Sequence, residues 1–166
     1  MGYPCVIVVP EGAMEAKVQA IKSFGAEVIY CGTYSEERLN KARELSEKRK
    51  MIFIHGFDDS KVIAGQGTIG LEILEDFPEV EVILVPIGGG GLISGILSAV
   101  KEKRPDIKVY GIEPMESNCM YVSLHKGKIT KLPKISTIAD GLRSNRPGNM
   151  TFPIVRKYID DIILVY

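Results

Sequence analysis

Two hydrophobic periods alternate along this chain. Consecutive apolar residues, expected of a strand covered on both faces, give way to apolar positions spaced by three and four, expected of a helix with one buried stripe. Pro4 to Val9 is the first apolar run, and Pro10-Glu11-Gly12 ends it. From Ala13 to Phe24 the residues Met14, Val18, Ile21 and Phe24 recur at helical spacing, and Gly25 is placed to close that helix. Glu27 to Cys31 predicts a second strand. Thr33-Tyr34-Ser35-Glu36 reads as a capping box, and the helix it opens carries acids early and Lys48-Arg49-Lys50 late, as the helix dipole favours. Met51 to Ile54 predicts a third strand, completing a β-α-β-α-β lobe within residues 1–56.

The turn Gly56-Phe57-Asp58-Asp59-Ser60 follows, with aspartates suited to an N-cap, and a helix is predicted over 60–77. Gly65, Gly67 and Gly70 lie inside it, each costing about 1 kcal/mol against alanine. Something approaches that backbone closely, either another helix or a bound cofactor. Val82 to Val85 is an apolar strand, Leu92 to Lys103 a helical pattern, Ile107 to Ile112 a further strand and Ser117 to His125 a short helix before the turn Lys126-Gly127-Lys128. Residues 136–141 have no periodicity and read as a loop. A helix over 151–158 and a strand over 162–165 finish the pattern. With no covering helix after the last strand and none before the first, both ends are expected to continue into a longer α/β enzyme.

Composition narrows the class. The chain has 166 residues with 45% apolar content, enough for a sizeable core, and its 21 basic and 21 acidic residues cancel. Those charges are interspersed, which argues against a nucleic-acid partner. No apolar stretch has the length of a membrane span and no signal core is present, so a cytoplasmic protein is expected. Cys5, Cys31 and Cys119 form no CxxC or Cys/His cluster and read as reduced thiols. Cys5 and Cys31, in apolar strand patterns, are expected to behave as small hydrophobes.

Chemistry concentrates at Val85-Pro86-Ile87-Gly88-Gly89-Gly90-Gly91-Leu92, where a strand passes through four glycines into a helix. Residues without Cβ let the backbone turn tightly and bring successive N–H groups against a ligand. The helix that follows has no Ser, Thr, Asp or Asn at its N-cap and no carboxylate in its first turn, so its orphan donors suit an external anion. A Walker loop is excluded because Ile96 stands where lysine is required. Gly89 to Ser94 does approximate a dinucleotide fingerprint, with Glu113 at the ribose-binding distance. Spacing alone leaves a nicotinamide site and a simple phosphate cup both open. The titratable groups near such a site are His55, Asp58, Asp59, Glu113 and Asp140. His55 follows a strand end and is placed as a base. With no Ser or Cys nucleophile motif beside it, bonding to a neighbouring loop is the plainer reading. His125 is expected at the surface.

Several segments together resemble a known family. Pro10-Glu11-Gly12-Ala13 with Lys17, Gly25-Ala26-Glu27-Val28, His55-Gly56-Phe57-Asp58-Asp59, Val62 to Thr68, Val85 to Leu92 and Thr137-Ile138-Ala139-Asp140-Gly141 occur in this order in threonine dehydratases and serine racemases. These are fold-type II pyridoxal-phosphate enzymes, and Arg146-Pro147-Gly148-Asn149 and the Asp160-Asp161-Ile162 region look most like the catabolic threonine dehydratase branch. The resemblance implies an α/β, tryptophan-synthase-β-like partial fold, with mostly parallel sheets and flanking helices in two lobes. Residues 57–166 would belong to the large domain. It implies that Gly88, Gly89, Gly90, Gly91 and Leu92 hold the phosphate of pyridoxal phosphate, with Phe57, Asp140 and Gly141 bordering the substrate, and it sets the nicotinamide reading aside.

In some members a divalent cation sits beside a glutamate matched by Glu113, a backbone carbonyl matched by Ser117 and an acid matched by Cys119. Cysteine in place of that acid weakens the metal site here. The family's Schiff-base lysine lies in a segment before this sequence begins and the ring-nitrogen partner after it ends, so no catalytic lysine is expected in the chain. The implied reaction is dehydration of L-threonine or L-serine to a 2-oxo acid and ammonia. The implied partners are a small amino-acid substrate and further copies of the chain, with no nucleic acid and no membrane.

Overall fold

The computed structural model describes residues 2–33 and 35–166. The chain forms two compact units, residues 1–54 and 55–166. The first contains β1 (Val6–Val9), α1 (Glu15–Ser23), β2 (Glu27–Tyr30) and α2 (Ser35–Arg49). β1 and β2 pair in parallel, with Val6 opposite Glu27 and Val9 opposite Tyr30. Val18 is fully buried whereas Met14 and Phe24, predicted on the same stripe, are exposed. Gly25 closes α1 at φ +80°, a left-handed conformation that glycine adopts without Cβ strain. Cys5 is exposed and Cys31 only half-buried, so neither packs as a core hydrophobe.

One prediction for this unit needs correction and another falls partly outside the described residues. The capping-box reading includes Tyr34, which lies outside the described residues; among those described, the Glu37 carboxylate accepts the Thr33 N–H at 2.9 Å. The third strand does not form, because Met51 to Ile54 has no ladder partner among the described residues. Ile52 and Ile54 stand 90% and 71% exposed. Apolar sequence supplies the propensity for a strand, but a strand also needs a neighbour's N–H and C=O groups.

The second unit contains α3 (Ser60–Asp76), β3 (Val82–Pro86), α4 (Gly91–Lys103), β4 (Lys108–Pro114), α5 (Cys119–His125), α6 (Thr151–Tyr158) and β5 (Asp161–Val165), with single 3₁₀ turns at 115–117 and 140–142. Its three strands are parallel, in the order β3-β4-β5. The core lies between one face of this sheet and α4 and α6, built from residues such as Val85, Ile87, Leu97, Val100, Val109 and Val155. Asp59 caps α3, accepting from the Lys61 and Val62 N–H groups.

Two of the glycines of α3 settle on one of the readings left open by the sequence. A Cβ on Gly67 would lie 3.2 Å from the Gly95 carbonyl, one on Gly70 3.3 Å from that of Ile96, and one on Gly95 of α4 2.5 Å from the Gly67 nitrogen. Gly67 and Gly70 therefore serve helix packing, α3 and α4 crossing backbone against backbone. Gly65 has open space around its Cβ position.

The far end of the sheet, where β4 and β5 begin, is held by Asp160. Its Oδ2 accepts from Lys101 Nζ at 2.7 Å and from the Val109 N–H at 2.8 Å, and its Oδ1 accepts from Lys108 Nζ at 3.0 Å. Desolvation alone would raise its pKa. The bonds from Lys101, the Val109 N–H and Lys108 outweigh that and hold the carboxyl at about 2. A folded-state value below the unfolded one stabilises fully above about pH 4, and the contribution is lost as pH falls through the folded value. Asp160→Asn is therefore expected to lower unfolding free energy by about 1–3 kcal/mol at neutral pH in urea melts, and to flatten the acid limb between about pH 4 and 2. An unchanged acid limb would show that Asp160 does not anchor this corner.

Candidate functional site

β3 delivers the chain to the glycines by a defined path. The Ile87 N–H bonds the Ile112 carbonyl at 2.9 Å, carrying the ladder one residue beyond the strand, and Ile87 itself is fully buried. Gly90 takes φ +96° and serves as N-cap of α4 without a side-chain bond to the helix. Each carbonyl in the turn is engaged. That of Gly88 accepts the Cys119 thiol at 3.7 Å, that of Gly89 accepts the Thr151 hydroxyl at 2.7 Å and the Gly148 N–H at 3.2 Å, and that of Gly90 accepts the Ser94 N–H at 3.0 Å. The N–H groups from Gly88 to Leu92 have no acceptor among the described residues. Gly89, Gly90 and Gly91 are buried and Gly88 and Leu92 half-buried. Buried amides are almost always paired, so a run of unpaired donors is a site for an external acceptor.

The other helices of this unit are treated differently. Asp59 caps α3; the Asp58 carboxylate accepts from the Asn149 and Met150 N–H groups at 2.8 Å and from that of Thr151 at 3.4 Å, at the start of α6; and the Glu113 carboxylate accepts from Met120 at 3.0 Å and Tyr121 at 2.8 Å, at the start of α5. Only α4 begins without a carboxylate. Its dipole and open donors suit an anion.

Close packing explains why glycines are needed there. A Cβ on Gly89 would strike the Phe57 ring, and one on Gly91 would lie 2.7 Å from Phe57 Cβ. One on Gly90 would lie 2.7 Å from Met120 Cε and 2.9 Å from Thr151 Oγ1, and one on Gly88 3.2 Å from the Gly141 carbonyl. Phe57 and the turn at 140–142 are thus brought against the loop, and Asp140 is half-buried in that turn. His55 Nδ1 accepts the N–H groups of Phe57 at 3.1 Å and Asp58 at 2.8 Å, so its role is to fold the turn that presents them. His125 is exposed, with Nδ1 beside the Tyr121 carbonyl.

Glu113 is fully buried, and burial pushes its carboxyl up to about 7 against the pull of its two N–H donors. With both oxygens committed to α5 it is not a ribose ligand, so the dinucleotide reading fails on geometry. Glu113 and Cys119 also suit a divalent cation poorly. The Glu113 oxygens already accept from the Met120 and Tyr121 N–H groups, and Cys119, whose thiol burial followed by the Glu113 charge pushes up to about 12, offers sulfur where a hard cation needs oxygen. Among the described residues no other cluster of His, Cys, Asp and Glu has metal-binding geometry, and no helix is long and apolar enough to cross a membrane.

Sequence reasoning missed Thr151, Gly148 and the role of Asp58 as a cap for a helix that begins at Thr151. No local pattern reveals a partner so distant in the chain.

An open parallel α/β sheet with a glycine turn of unpaired amides beyond a strand's carboxyl end is the setting in which α/β enzymes bind phosphate-bearing ligands. A family model described as "Pyridoxal-phosphate dependent enzyme" matches residues 1–166, and the chain belongs to that family. It is 44% identical over 165 residues to an L-threonine ammonia-lyase of Geobacter sulfurreducens, covering 99% of this chain and 41% of that protein. It is 46% identical to the catabolic L-threonine dehydratase TdcB of Escherichia coli K12, covering 99% and 50%. Among solved structures, maize serine racemase superposes with a TM-score of 0.93 at 40% identity, over 99% of this chain and 50% of that one. The chain spans about half the length of the curated relatives it matches.

Two outcomes test this geometry. Gly90→Ala combines a positive φ with the steric conflict above and is expected to abolish inorganic-phosphate binding in equilibrium dialysis and to cost about 1–3 kcal/mol in urea. Up to millimolar Mg²⁺ or Ca²⁺ is expected to leave the melting temperature unchanged; a clear rise would restore the cation site.

Proposed function

We propose that this chain is the phosphate-anchoring portion of a pyridoxal-phosphate-dependent L-threonine ammonia-lyase that also accepts L-serine, giving a 2-oxo acid and ammonia. The observation that carries this reading is the row of unpaired N–H groups from Gly88 to Leu92 at the start of α4, the one helix of residues 55–166 that begins without a carboxylate. A dianionic phosphate monoester supplies the acceptors and negative charge those donors call for. The identities to L-threonine ammonia-lyase and dehydratase support the substrate class.

Gly88, Gly89, Gly90, Gly91 and Leu92 would hold the cofactor's phosphate through backbone N–H groups. Phe57 would wall the pocket beside the loop, and Asp140 and Gly141 would border the amino-acid substrate. Bound pyridoxal phosphate serves as an electron sink for loss of the Cα proton and the β-hydroxyl. Burial of the glycines excludes water from the anchor and strengthens each N–H bond to the phosphate. The resemblance implies that the family's covalent lysine would fall outside residues 1–166, and Lys101 and Lys108 are engaged with Asp160 at the opposite end of the sheet. This chain alone is therefore read as a binding unit without turnover.

A serine racemase-like reaction is the second reading, favoured by the TM-score of 0.93 with the maize enzyme. Against it stands the poor match of Glu113 and Cys119 to a cation.

The test is a fluorescence titration of the purified chain with pyridoxal phosphate and, separately, pyridoxal. Pyridoxal phosphate is expected to bind at least about tenfold more tightly, with inorganic phosphate competing. With L-threonine and pyridoxal phosphate, the chain is expected to form 2-oxobutanoate no faster than free cofactor. Equal affinity for both forms removes the phosphate anchor, and rapid 2-oxobutanoate production refutes a purely binding role.

A further inference from the structure

The glycine turn is aimed from behind by a residue that no motif of the sequence singled out. In a peptide unit the C=O and N–H point in opposite directions, so fixing one carbonyl aims the following N–H. The Gly89 carbonyl is fixed by Thr151 Oγ1, which donates to it at 2.7 Å while accepting the Gly148 N–H at 3.0 Å. Thr151 is fully buried, and its hydroxyl makes both bonds at once, which a methyl group cannot. The Gly148 N–H reaches the same carbonyl at 3.2 Å, so the contact is a closed three-membered network.

The hydroxyl itself is placed by Asp58. Its carboxylate caps the first turn of α6 through the Asn149, Met150 and Thr151 N–H groups, and the missing side chain at Gly148 makes room for it, since a Cβ there would strike Asp58 Oδ1. From the same turn Phe57 packs on Gly89 and Gly91. One short segment thus supports the loop on one side and fixes the helix that supports it on the other.

We infer that Thr151 is a positioning residue of the phosphate site: its hydroxyl, set by Asp58 at the start of α6, pins the Gly89 carbonyl and so aims the Gly90 N–H outward. This rests on the reading of Gly88 to Leu92 as a phosphate cradle, and it assigns the orientation of that cradle to a side chain that never touches the ligand. It also explains why α6 begins where it does. Met150 provides no side-chain cap, and capping from Asp58 is what brings the helix start against the loop.

The experiment measures affinities of the full chain for pyridoxal phosphate, pyridoxal and inorganic phosphate in wild type, Thr151→Val, Thr151→Ser and Val155→Ala. Thr151→Val preserves shape without the hydroxyl and is expected to weaken inorganic phosphate and pyridoxal phosphate about tenfold, with pyridoxal unchanged. Thr151→Ser keeps the hydroxyl and is expected to restore the preference for the phosphorylated form. Val155→Ala, a core cavity in the same helix, is expected to lower the melting temperature while keeping that preference, which separates positioning from general stability. Should Thr151→Val not fold, Thr151→Ala carries the same expectation. A hydroxyl-free variant that retains wild-type preference overturns the inference and leaves the phosphate site standing. A wild-type chain that binds neither phosphate nor pyridoxal phosphate overturns the site and the inference together.

Discussion

The structure of residues 55–166 depends on how the peptide groups of one turn are divided. Carbonyls from Gly88 to Gly90 are bound from inside by a thiol, a hydroxyl and backbone N–H groups, and the amides from Gly88 to Leu92 are left without an acceptor among the described residues. Each side of that division requires the other. A carbonyl left free would let its peptide rotate, and an amide paired inside would have nothing to offer a ligand. The steric cost falls on side chains, which is why four consecutive positions lack Cβ and why Phe57, Met120, Thr151 and Gly141 close around them.

Three carboxylates make the fourth helix distinctive. Asp58, Asp59 and Glu113 each satisfy a helix N-terminus, so donors that would otherwise compete for an anion are filled, and the positive end of α4 stands alone at the carboxyl end of the sheet. These acids are also the groups that a search for catalytic residues would first select. Their bonds assign them to architecture. Burial of Glu113 and its raised carboxyl value reflect a cap inserted under a helix, with a neutral thiol beside it.

Much of this was legible in the sequence, because strong signals are local. The apolar run, the glycines and the uncapped helical pattern from Leu92 sit side by side, so the loop could be read from sequence alone, and the helix at 151–158 matched its periodicity to the residue. Strand formation at Met51–Ile54 was misread because pairing depends on a neighbour and apolar sequence does not provide one. The partners of Asp58 were illegible for the same reason, lying 91 to 93 residues away. Gly67 and Gly70 announced a close approach without saying to what, and only the crossing of α3 on α4 decided it.

The central claim is that the amides from Gly88 to Leu92 receive a phosphoryl group. The most direct measurement is the change in their backbone ¹H–¹⁵N resonances on titration with inorganic phosphate and then pyridoxal phosphate. The account predicts saturable downfield proton shifts concentrated on Gly88 to Leu92, with the N-termini of α3, α5 and α6 unaffected. Shifts spread evenly over surface lysines, or absent from these glycines at saturating ligand, would contradict it.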